Sequence, residues 1–340
     1  MHFNEYEEKK GTSFEYETFF HALKQVEGHS ITHVPFDEIL TLGREAWNAK
    51  LLKMVEDEKP DLVFAFMYTD ELLPETIKAM SKITNTLAWF SDDHWRIYNY
   101  SLRYAKYFTA VATTYSKAPA IYHVHGVKNV IRSQWAADTS LYNPSLKAEP
   151  IHDVAFVGLW SKPREQLIQK LRDAGIDVYV RGRDWKEGGV PQKEMIRIFA
   201  SSKINLAINS APGMFSKDSI ARLFLRRSLT KIVPDFHVFQ NLRSWPLRNI
   251  LQIKARHFEI PATGGFTITR RADDLETYFE NGKEMVIVDS DDELVEKIKY
   301  YLAHEDERAA IAKAGYERTI AEHTYKQRLL AVFESLQNIH

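Results

Sequence analysis

Apolar and polar positions alternate along this chain in short blocks that predict strands separated by helices. In the first half, apolar runs rich in β-branched and aromatic residues predict five strands, and amphipathic stretches between them predict helices. The predicted strands are Ile31–Val34, Leu62–Met67, Thr86–Phe90, Phe108–Thr113 and Asn129–Ser133. Strands that alternate with helices are typical of parallel sheets in α/β proteins.

A second series begins at Asp153 and restarts near Gly265. Its predicted strands are Val154–Val157, Asp177–Val180, Ile204–Ile208, Phe266–Thr269 and Met285–Val288. Its predicted helices are Pro163–Ala174, Gln192–Ser201, Asp273–Phe279, Asp292–Leu302, Glu307–Ile320 and Glu322–Leu336. The polar stretch Asn143–Pro150 carries two prolines and separates the two series.

The pattern therefore predicts an α/β protein with two Rossmann-like, doubly wound domains. We place them at residues 1–147 and 148–320, and we expect a helix in residues 321–340 to pack back toward the first domain. The start of the chain departs from this pattern, because no buried apolar run precedes the helix predicted at Phe14–Val26. Either the first strand is short and irregular, or the chain starts just after the position of that strand.

Composition limits the classes of function. With 340 residues, 44% hydrophobic and 27% charged, the chain is typical of a soluble globular protein of two domains. Its net charge of -1 argues against general nucleic-acid binding. The chain has no cysteine, which excludes disulfides, thiolate nucleophiles and cysteine zinc sites. No apolar run is long enough to span a bilayer and no signal peptide is visible, so we expect a cytoplasmic protein.

Residues 212–250 interrupt the alternation and carry a local charge of +5. Here a helix is predicted at Ser219–Leu229, in which apolar side chains alternate roughly with arginines. Such a helix suits an anionic membrane surface or a phosphorylated acceptor. The alternative is a solvated helix whose arginines form surface ion pairs. The basic residues of the segment are Lys217, Arg222, Arg226, Arg227, Lys231, Arg243 and Arg248, and its acidic residues are Asp218 and Asp235.

Residues 254–290 carry the pattern that most favours nucleotide binding. Glu259 lies on a short predicted helix that ends at Gly264 and Gly265, with Lys254 and Arg256 just upstream. An acid suits a pair of ribose hydroxyls, bases suit a diphosphate, and glycine allows backbone to approach a ligand closely. The alternative is a surface helix that leads into an ordinary core strand.

In the first half, Asp92, Asp93 and His94 follow a predicted buried strand at its carboxyl end. Ligands bind at this end of the strands in open α/β sheets. A carboxylate there could take the proton of an acceptor hydroxyl or balance a positive reaction centre, and His94 could act as the base near neutral pH. The alternative is that the two aspartates cap the following helix.

Other constellations have a simpler interpretation. Asp289, Ser290 and Asp291 form an Asp-x-Asp sequence, but they lie between a strand and a helix as a cap would, so no metal site is predicted. No Gly-x-Gly-x-x-Gly or Walker sequence is present, and NAD and ATP are therefore unsupported as ligands. His323 is expected to be a packing residue.

Several segments are similar to the spore-maturation CgeB-like group of glycosyltransferases. They are LAWFSDDHW at Leu87–Trp95, SQWAADTSLYNP at Ser133–Pro144, VAFVGLWSKPR at Val154–Arg164, and a dense match over residues 251–328 that contains FEIPATGGF. The resemblance implies a GT-B glycosyltransferase, in which two Rossmann-like domains face a cleft. It assigns the nucleotide-sugar donor to the C-terminal domain and the acceptor to the N-terminal domain.

The resemblance also implies roles for single residues. Glu259 corresponds to a glutamate that binds donor ribose hydroxyls, Gly264 and Gly265 to the turn after its helix, and Lys254 and Arg256 to cations that neutralise the diphosphate. Leu251 stands where many such enzymes carry a second glutamate, which puts the donor sugar in doubt.

Further residues follow from the same resemblance. Gly158, Lys162 and Arg164 lie in the first βα turn of the C-terminal domain, where a helix N-terminus faces phosphate, or else form a surface ion-pairing turn. Arg181 and Gly182 lie where the base rests, and Gly11, Thr12 and Ser13 match a loop on the acceptor side.

The leading hypothesis is a metal-independent transferase that has no cofactor and uses a nucleoside-diphosphate sugar as co-substrate. The acceptor is a hydroxyl of a glycan, a lipid-linked molecule or a protein, and residues 212–250 make peripheral contact with the inner face of a membrane. The alternatives are a GT-B sugar-nucleotide epimerase or hydrolase, and a catalytically silent binding subunit.

Overall fold

A computed structural model describes residues 2–144, 149–209, 211 and 213–339. The chain divides into two compact units. The first unit comprises Met1–Gln134, Pro212–Ile250 and Arg328–His340, and the second comprises Trp135–Ala211 and Leu251–Gln327. These limits differ from the predicted ones, because residues 212–250 belong to the first unit. The predicted boundary between residues 147 and 148 falls in 145–148, outside the described residues.

The first unit contains a parallel sheet of four strands that lie side by side in chain order. Its strands are β1 (Leu62–Ala65), β2 (Asn85–Phe90), β3 (Ala110–Thr113) and β4 (Val130–Arg132). Its helices in this part of the chain are α1 (His21–Lys24), α2 (Ile39–Leu42), α3 (Arg44–Glu58), α4 (Pro74–Met80), α5 (Asp93–Arg96), α6 (Leu102–Ala105) and α7 (Ala118–Val124). Neighbouring strands follow chain order, so this sheet winds in one direction.

The strand predicted at Ile31–Val34 is wrong, since these described residues form an irregular segment. The run holds only two strongly apolar residues, and Pro35 after it supplies no backbone donor. The core of this unit is instead built by helices on the sheet. On α3, Trp47, Leu51 and Val55 are four residues apart and buried, because that spacing keeps them on one helix face.

The second unit begins with two strands and two helices that the apolar pattern predicted closely, and a third strand follows. They are β5 (His152–Val157), α8 (Lys162–Asp173), β6 (Val178–Arg181), α9 (Gln192–Ala200) and β7 (Ser202–Ala207). Pro163 stands in the first turn of α8, where its missing N–H and fixed φ favour a helix start.

Residues 213–250 then return to the first unit. They form α10 (Lys217–Ala221), the antiparallel strands β8 (Leu225–Ser228) and β9 (Lys231–Pro234), and α11 (Val238–Ser244). The helix predicted at Ser219–Leu229 is therefore wrong beyond its first residues. Leu229 has a φ of 50°, in the left-handed region, and begins the tight turn between β8 and β9.

Contacts with the strand ends of the first unit explain this hairpin. Arg226 donates to Asp70 Oδ2 at 2.8 Å, and Ser228 Oγ donates to the same carboxylate at 2.8 Å. Arg103, before β3, pairs with Asp235 at 3.1 Å. Long-range ion pairs thus attach the segment to the first unit, and they override the local helical pattern.

The second unit is completed by α12 (Arg256–Ala262), β10 (Thr267–Arg270), β11 (Val286–Val288), α13 (Asp291–Ala303), α14 (Glu305–Glu322) and the start of α15 (Tyr325–Gln337). Its parallel sheet has the order β11-β10-β7-β5-β6. The winding reverses between β5 and β7, so this sheet is doubly wound. The helix predicted at Asp273–Phe279 is reduced to the 3-10 turn Leu275–Thr277, because Asp274 has a φ of 70°.

Candidate functional site

The winding of the second unit's sheet reverses between β5 and β7, and at such a reversal the carboxyl edge of a parallel sheet has a crevice. In open α/β sheets, ligands bind at this point, because the loops after the two strands run in opposite directions. Arg164, in the first turn of α8, lies across it. Its Nη1 donates to the Leu159 carbonyl after β5 at 2.7 Å, and its Nη2 donates to the Ile208 carbonyl after β7 at 3.0 Å.

A second arginine, Arg256, lies close to Arg164 beside this crevice. Burial lowers the pKa of Arg164 to about 10, and the positive charge of Arg256 adds to this shift. Arg256 is the first residue of α12 and forms an ion pair with Glu259, one turn further along the helix. Two guanidinium groups thus lie near each other, and only Arg256 pairs with the carboxylate. The remaining positive charge makes this edge a suitable place for a polyanion.

Glu259 is fully buried, and its carboxylate already has polar neighbours. Besides the pair with Arg256, it lies close to the Tyr142 hydroxyl; burial and then the charge of Glu259 raise the pKa of Tyr142 well above its usual value. Burial would lower the pKa of Arg256, but the charge of Glu259 reverses this effect and raises it. The structure therefore gives Glu259 one evident task, which is to hold and orient Arg256.

Sequence reasoning missed His257, which fixes the start of α12 to the sheet. Its ring is fully buried, Asn209 Nδ2 donates to its Nε2 at 3.1 Å, and its Nδ1 lies 2.8 Å from the Lys254 carbonyl. Nε2 also lies 3.0 Å from Thr269 Oγ1 on β10. Burial lowers the pKa of His257 to about 4, so the ring is neutral at physiological pH. No sequence signal distinguishes this histidine from its charged neighbours.

The predicted glycines Gly158 and Gly182 bring two loops of this edge together. A Cβ atom on Gly182 would lie 1.8 Å from the Gly158 carbonyl oxygen, which also accepts a hydrogen bond from Trp185 Nε1 at 2.9 Å. Gly158 N–H donates to the Arg181 carbonyl at 3.0 Å, and the Arg181 side chain donates to the Glu187 carbonyl. These residues therefore shape the wall of the crevice beside Arg164.

Gly264 and Gly265 lie at the other end of α12. Gly264 has a φ of 72° after the helix, and a Cβ on Gly265 would lie 3.0 Å from Asn205 Nδ2, so glycine permits the close turn into β10. Because they precede β10, they are at the opposite edge of the sheet from Arg164. The structure does not bring them together with the two arginines. Leu251 bonds through its carbonyl to the Asp273 N–H at 2.9 Å.

The carboxyl edge of the first unit's sheet holds Asp93 in a different environment. Asp93 is fully buried at the start of α5, and its Oδ2 accepts hydrogen bonds from Thr113 at 2.7 Å and Tyr122 at 2.8 Å. Burial raises the pKa of Asp93 to about 6, although the hydroxyl groups oppose the shift. Asp92 is half-buried beside it, and the His94 ring is buried with its centroid 4.6 Å from that of Tyr115.

One carboxylate near this edge escaped the sequence analysis. Burial raises the pKa of Glu15, and the negative charge of Asp92 contributes to the shift. Glu15 follows the predicted residues Gly11, Thr12 and Ser13; Ser13 Oγ accepts from the Tyr16 N–H at 3.1 Å and so caps the first helical turn. Thr12 pairs with Phe3 in an isolated antiparallel bridge, which replaces a regular first strand.

Three arginines of residues 213–250, Arg222, Arg226 and Arg227, also line a cavity at the end of β1, next to Asp70 and Trp95. Its volume is about 60 Å³. Small-molecule sites usually enclose roughly 300 to 1,000 Å³, so a sugar does not fit. The paired arginines here hold the hairpin in place.

The remaining predictions concern structural residues. Ser290 Oγ accepts from the Glu293 N–H at 3.1 Å, which confirms the cap of α13, while Asp289 and Asp291 pair with Arg271 and Arg270. His323 is buried against aromatic rings, as predicted. Among the described residues, no group of three or more histidine, aspartate or glutamate side chains could hold a metal ion.

Comparison with known proteins identifies the family. A family model described as "Glycosyl transferase-like" matches residues 164–334, just over half of the chain. The chain belongs to this glycosyl transferase-like family. The protein is thus a glycosyltransferase, and the matched region starts at Arg164 and includes Arg256 and Glu259.

Solved structures share the fold of this glycosyltransferase at low identity. Anabaena Alr3699/HepE in complex with UDP and glucose has a TM-score of 0.57 and 13% identity, with 89% of this chain and 84% of that chain covered. Sucrose-phosphate synthase from Thermosynechococcus elongatus has a TM-score of 0.55 and 10% identity, with coverage of 92% and 82%. A glycosyltransferase from Rickettsia africae has a TM-score of 0.55 and 11% identity, with coverage of 92% and 84%.

These likenesses confirm the predicted fold class, with Rossmann-like parallel-sheet units and C-terminal helices as in GT-B glycosyltransferases. A search of curated proteins finds no match to this sequence. Within the part of the chain that the structure describes, no helix has the length and apolar character needed to cross a bilayer.

Proposed function

We propose that this glycosyltransferase moves a sugar from a nucleoside-diphosphate sugar to a hydroxyl group, and that it binds the donor at the carboxyl edge of the second unit's sheet. The observation that carries the proposal is that Arg164 and Arg256 lie close together beside the β5/β7 crevice, where Glu259 pairs with Arg256. The Anabaena structure that shares the fold holds UDP and glucose, which supports a donor of this class.

The chemistry of transfer requires positive charge at this position. When the glycosidic bond of the donor breaks, its electron pair stays with the diphosphate, whose negative charge grows toward the transition state. Fixed cations stabilise that charge more strongly in the transition state than in the bound donor. Arg164 is held by two backbone carbonyls and Arg256 by Glu259, so both are oriented before the donor arrives.

The roles of the other residues remain proposals. Gly158, Gly182 and Arg181 shape the crevice wall, and Lys254 adds a further cation close to the start of α12. The CgeB-like subgroup, the absence of a required metal ion and the contact of Glu259 with the ribose are predictions. So are the acceptor, which we expect to be a glycan, a lipid-linked molecule or a protein, and the membrane contact of residues 212–250.

Titration calorimetry with UDP, GDP, TDP and ADP tests the donor site. We expect one nucleotide to bind preferentially, and Glu259→Ala to weaken that binding about tenfold or more, because Arg256 loses the carboxylate that orients it. Glu296→Ala, an exposed change on α13, should bind as the wild type does. Glu259→Gln retains the size of the side chain and shows whether the charge is required.

Unchanged affinity in a folded Glu259→Ala protein would contradict the proposed site. Mass spectrometry of the preferred nucleotide sugar, with and without acceptor, tests the reaction itself. Transfer requires that donor consumption increase with acceptor and that the acceptor gain one sugar. Equal consumption without acceptor would instead support hydrolysis or epimerisation.

A further inference from the structure

Two large apolar side chains of helix α11 are exposed, and two of its polar side chains are buried. Phe239 is 86% exposed and Leu242, on the same face one turn later, is 45% exposed, whereas Asn241 and Ser244 are buried. Asn241 Nδ2 donates to the Leu223 carbonyl at 3.0 Å. A helix on a water-facing surface has the opposite arrangement, so the outer face of α11 is suited to an apolar environment.

The β8/β9 hairpin shows the same arrangement. Arg227 is paired with Ile232 in the register, so Leu225 and Ile232 lie on one face of the hairpin, and both are exposed. Beyond the strands, Asp235 N–H donates to the Phe224 carbonyl at 2.7 Å. Because Phe236 follows Asp235 in the chain, this bond places Phe224 near Phe236, which is 89% exposed.

These exposed apolar side chains lie within one segment of the first unit, and we call them together the phenylalanine surface. It includes every exposed phenylalanine of the described chain, in a segment of fewer than thirty residues. Large contiguous apolar patches on soluble proteins mark interaction sites, since their exposure to water is unfavourable. The side chains are Phe215, Ile220, Phe224, Leu225, Ile232, Phe236, Phe239 and Leu242.

The charges around this surface indicate what covers it. The only acidic residues of the segment, Asp218 and Asp235, are already paired with arginines of the first unit. Its exposed charges outside these pairs are basic: Lys217, Lys231 and Arg243. In a symmetric dimer the same face would meet itself and bring these like charges together, whereas an anionic bilayer complements them.

We propose that the phenylalanine surface lies on an anionic lipid bilayer. The phenylalanines enter the boundary between headgroups and acyl chains, and Lys217, Lys231 and Arg243 contact the headgroups. The sequence pattern assigns the membrane contact to the arginines of the helix predicted at Ser219–Leu229, whereas this proposal assigns it to the exposed phenylalanines and to three other basic residues. Arg226 and Arg227 bond to Asp70 and Glu5 of the first unit, so they serve folding rather than lipid binding.

Co-sedimentation with phosphatidylcholine vesicles, with and without phosphatidylglycerol, tests the proposal on the whole chain. We expect the wild type to sediment with the vesicles that contain phosphatidylglycerol. Phe236→Ser with Phe239→Ser should lower the partition coefficient at least about tenfold, because two large apolar side chains no longer leave water. Val124→Ser, which changes another exposed apolar residue of the first unit, should bind as the wild type does.

A charge variant separates the two parts of the interaction. Lys217→Glu, Lys231→Glu and Arg243→Glu together should remove the preference for phosphatidylglycerol. Equal sedimentation of the wild type and the phenylalanine variant would overturn the proposal. A dimer that is seen by light scattering and lost in the phenylalanine variant would overturn it in favour of a second copy. Nucleotide binding should be unchanged in all variants, so this test is independent of the donor site.

Discussion

At the carboxyl edge of the second unit's sheet, two arginines lie close together and one of them pairs with a buried carboxylate, whereas at the carboxyl edge of the first unit's sheet Asp93 is enclosed by hydroxyl groups. Arg164 and Arg256 lie close enough for the charge of one to lower the pKa of the other. Asp93 accepts from Thr113 and Tyr122 and lies in the core. The arginine pair therefore keeps positive charge available for a ligand, whereas the Asp93 carboxyl group is engaged in hydrogen bonds within the fold.

This difference explains why a polar residue at the end of a strand indicates a ligand site in one sheet and not in the other. A polar residue after a strand is placed at the edge where ligands bind, but placement does not decide whether the group faces a ligand or the core. A base has to come within hydrogen-bond reach of the proton it takes. For Asp93 the predicted catalytic role therefore stays a prediction, and Asp92, which is half-buried, is the more accessible of the two.

The largest expected effect comes from removing an arginine of the second unit. Arg164→Met or Arg256→Met should lower kcat/KM by roughly 10² to 10³, since a preorganised donor to developing charge contributes about 2.7 to 4 kcal/mol. Arg197→Met, an exposed change on α9, should have little effect. Steady-state kinetics with the preferred donor measures this. If kcat/KM falls less than threefold in both arginine variants, the second unit's edge does not hold its positive charge for the donor, and the contrast with the first unit's edge is wrong.

How far the sequence predicted this structure depends on whether local or distant contacts decide each element. The strands β5, β6 and β7 were predicted closely, because apolar runs of their length fit a buried parallel strand. The helix at Ser219–Leu229 was not, because Asp70, more than 150 residues away, bonds to Arg226 and Ser228. For the site, Arg256 and Glu259 came from the resemblance, whereas the neutral His257 depends on burial that only the fold produces.

His257 offers the next test of the second unit's edge. Burial lowers the pKa of His257 to about 4 in the folded protein, whereas the same ring takes up a proton near pH 6.5 in the unfolded chain. Its contribution to stability is therefore complete above pH 6.5 and is lost as the pH falls, by about 3 kcal/mol at pH 4. His257→Gln should remove this dependence, which urea unfolding of both proteins at several pH values measures.

Nuclear magnetic resonance provides an independent control for this prediction. Burial lowers the pKa of both His33 and His257 to about 4, so two rings should stay neutral down to about pH 4, and the one that is missing from the spectrum of His257→Gln is the His257 ring. If that ring titrates near pH 6.5, the histidine is solvated, and the start of α12 is not fixed to Asn209 and Thr269 as the structure shows.

Asp93 should show the opposite dependence, with a smaller effect. Its pKa is raised to about 6, so the folded protein binds a proton that the unfolded chain releases near pH 4. The ionised carboxylate destabilises the fold above pH 6, and that cost diminishes as the pH falls. Relative to Asp93→Asn, the wild type should therefore gain about 2 kcal/mol between pH 7 and pH 4. If the free energy of unfolding changes with pH in the same way in the two proteins, Asp93 is solvated and accessible. The contrast between the two edges would then disappear.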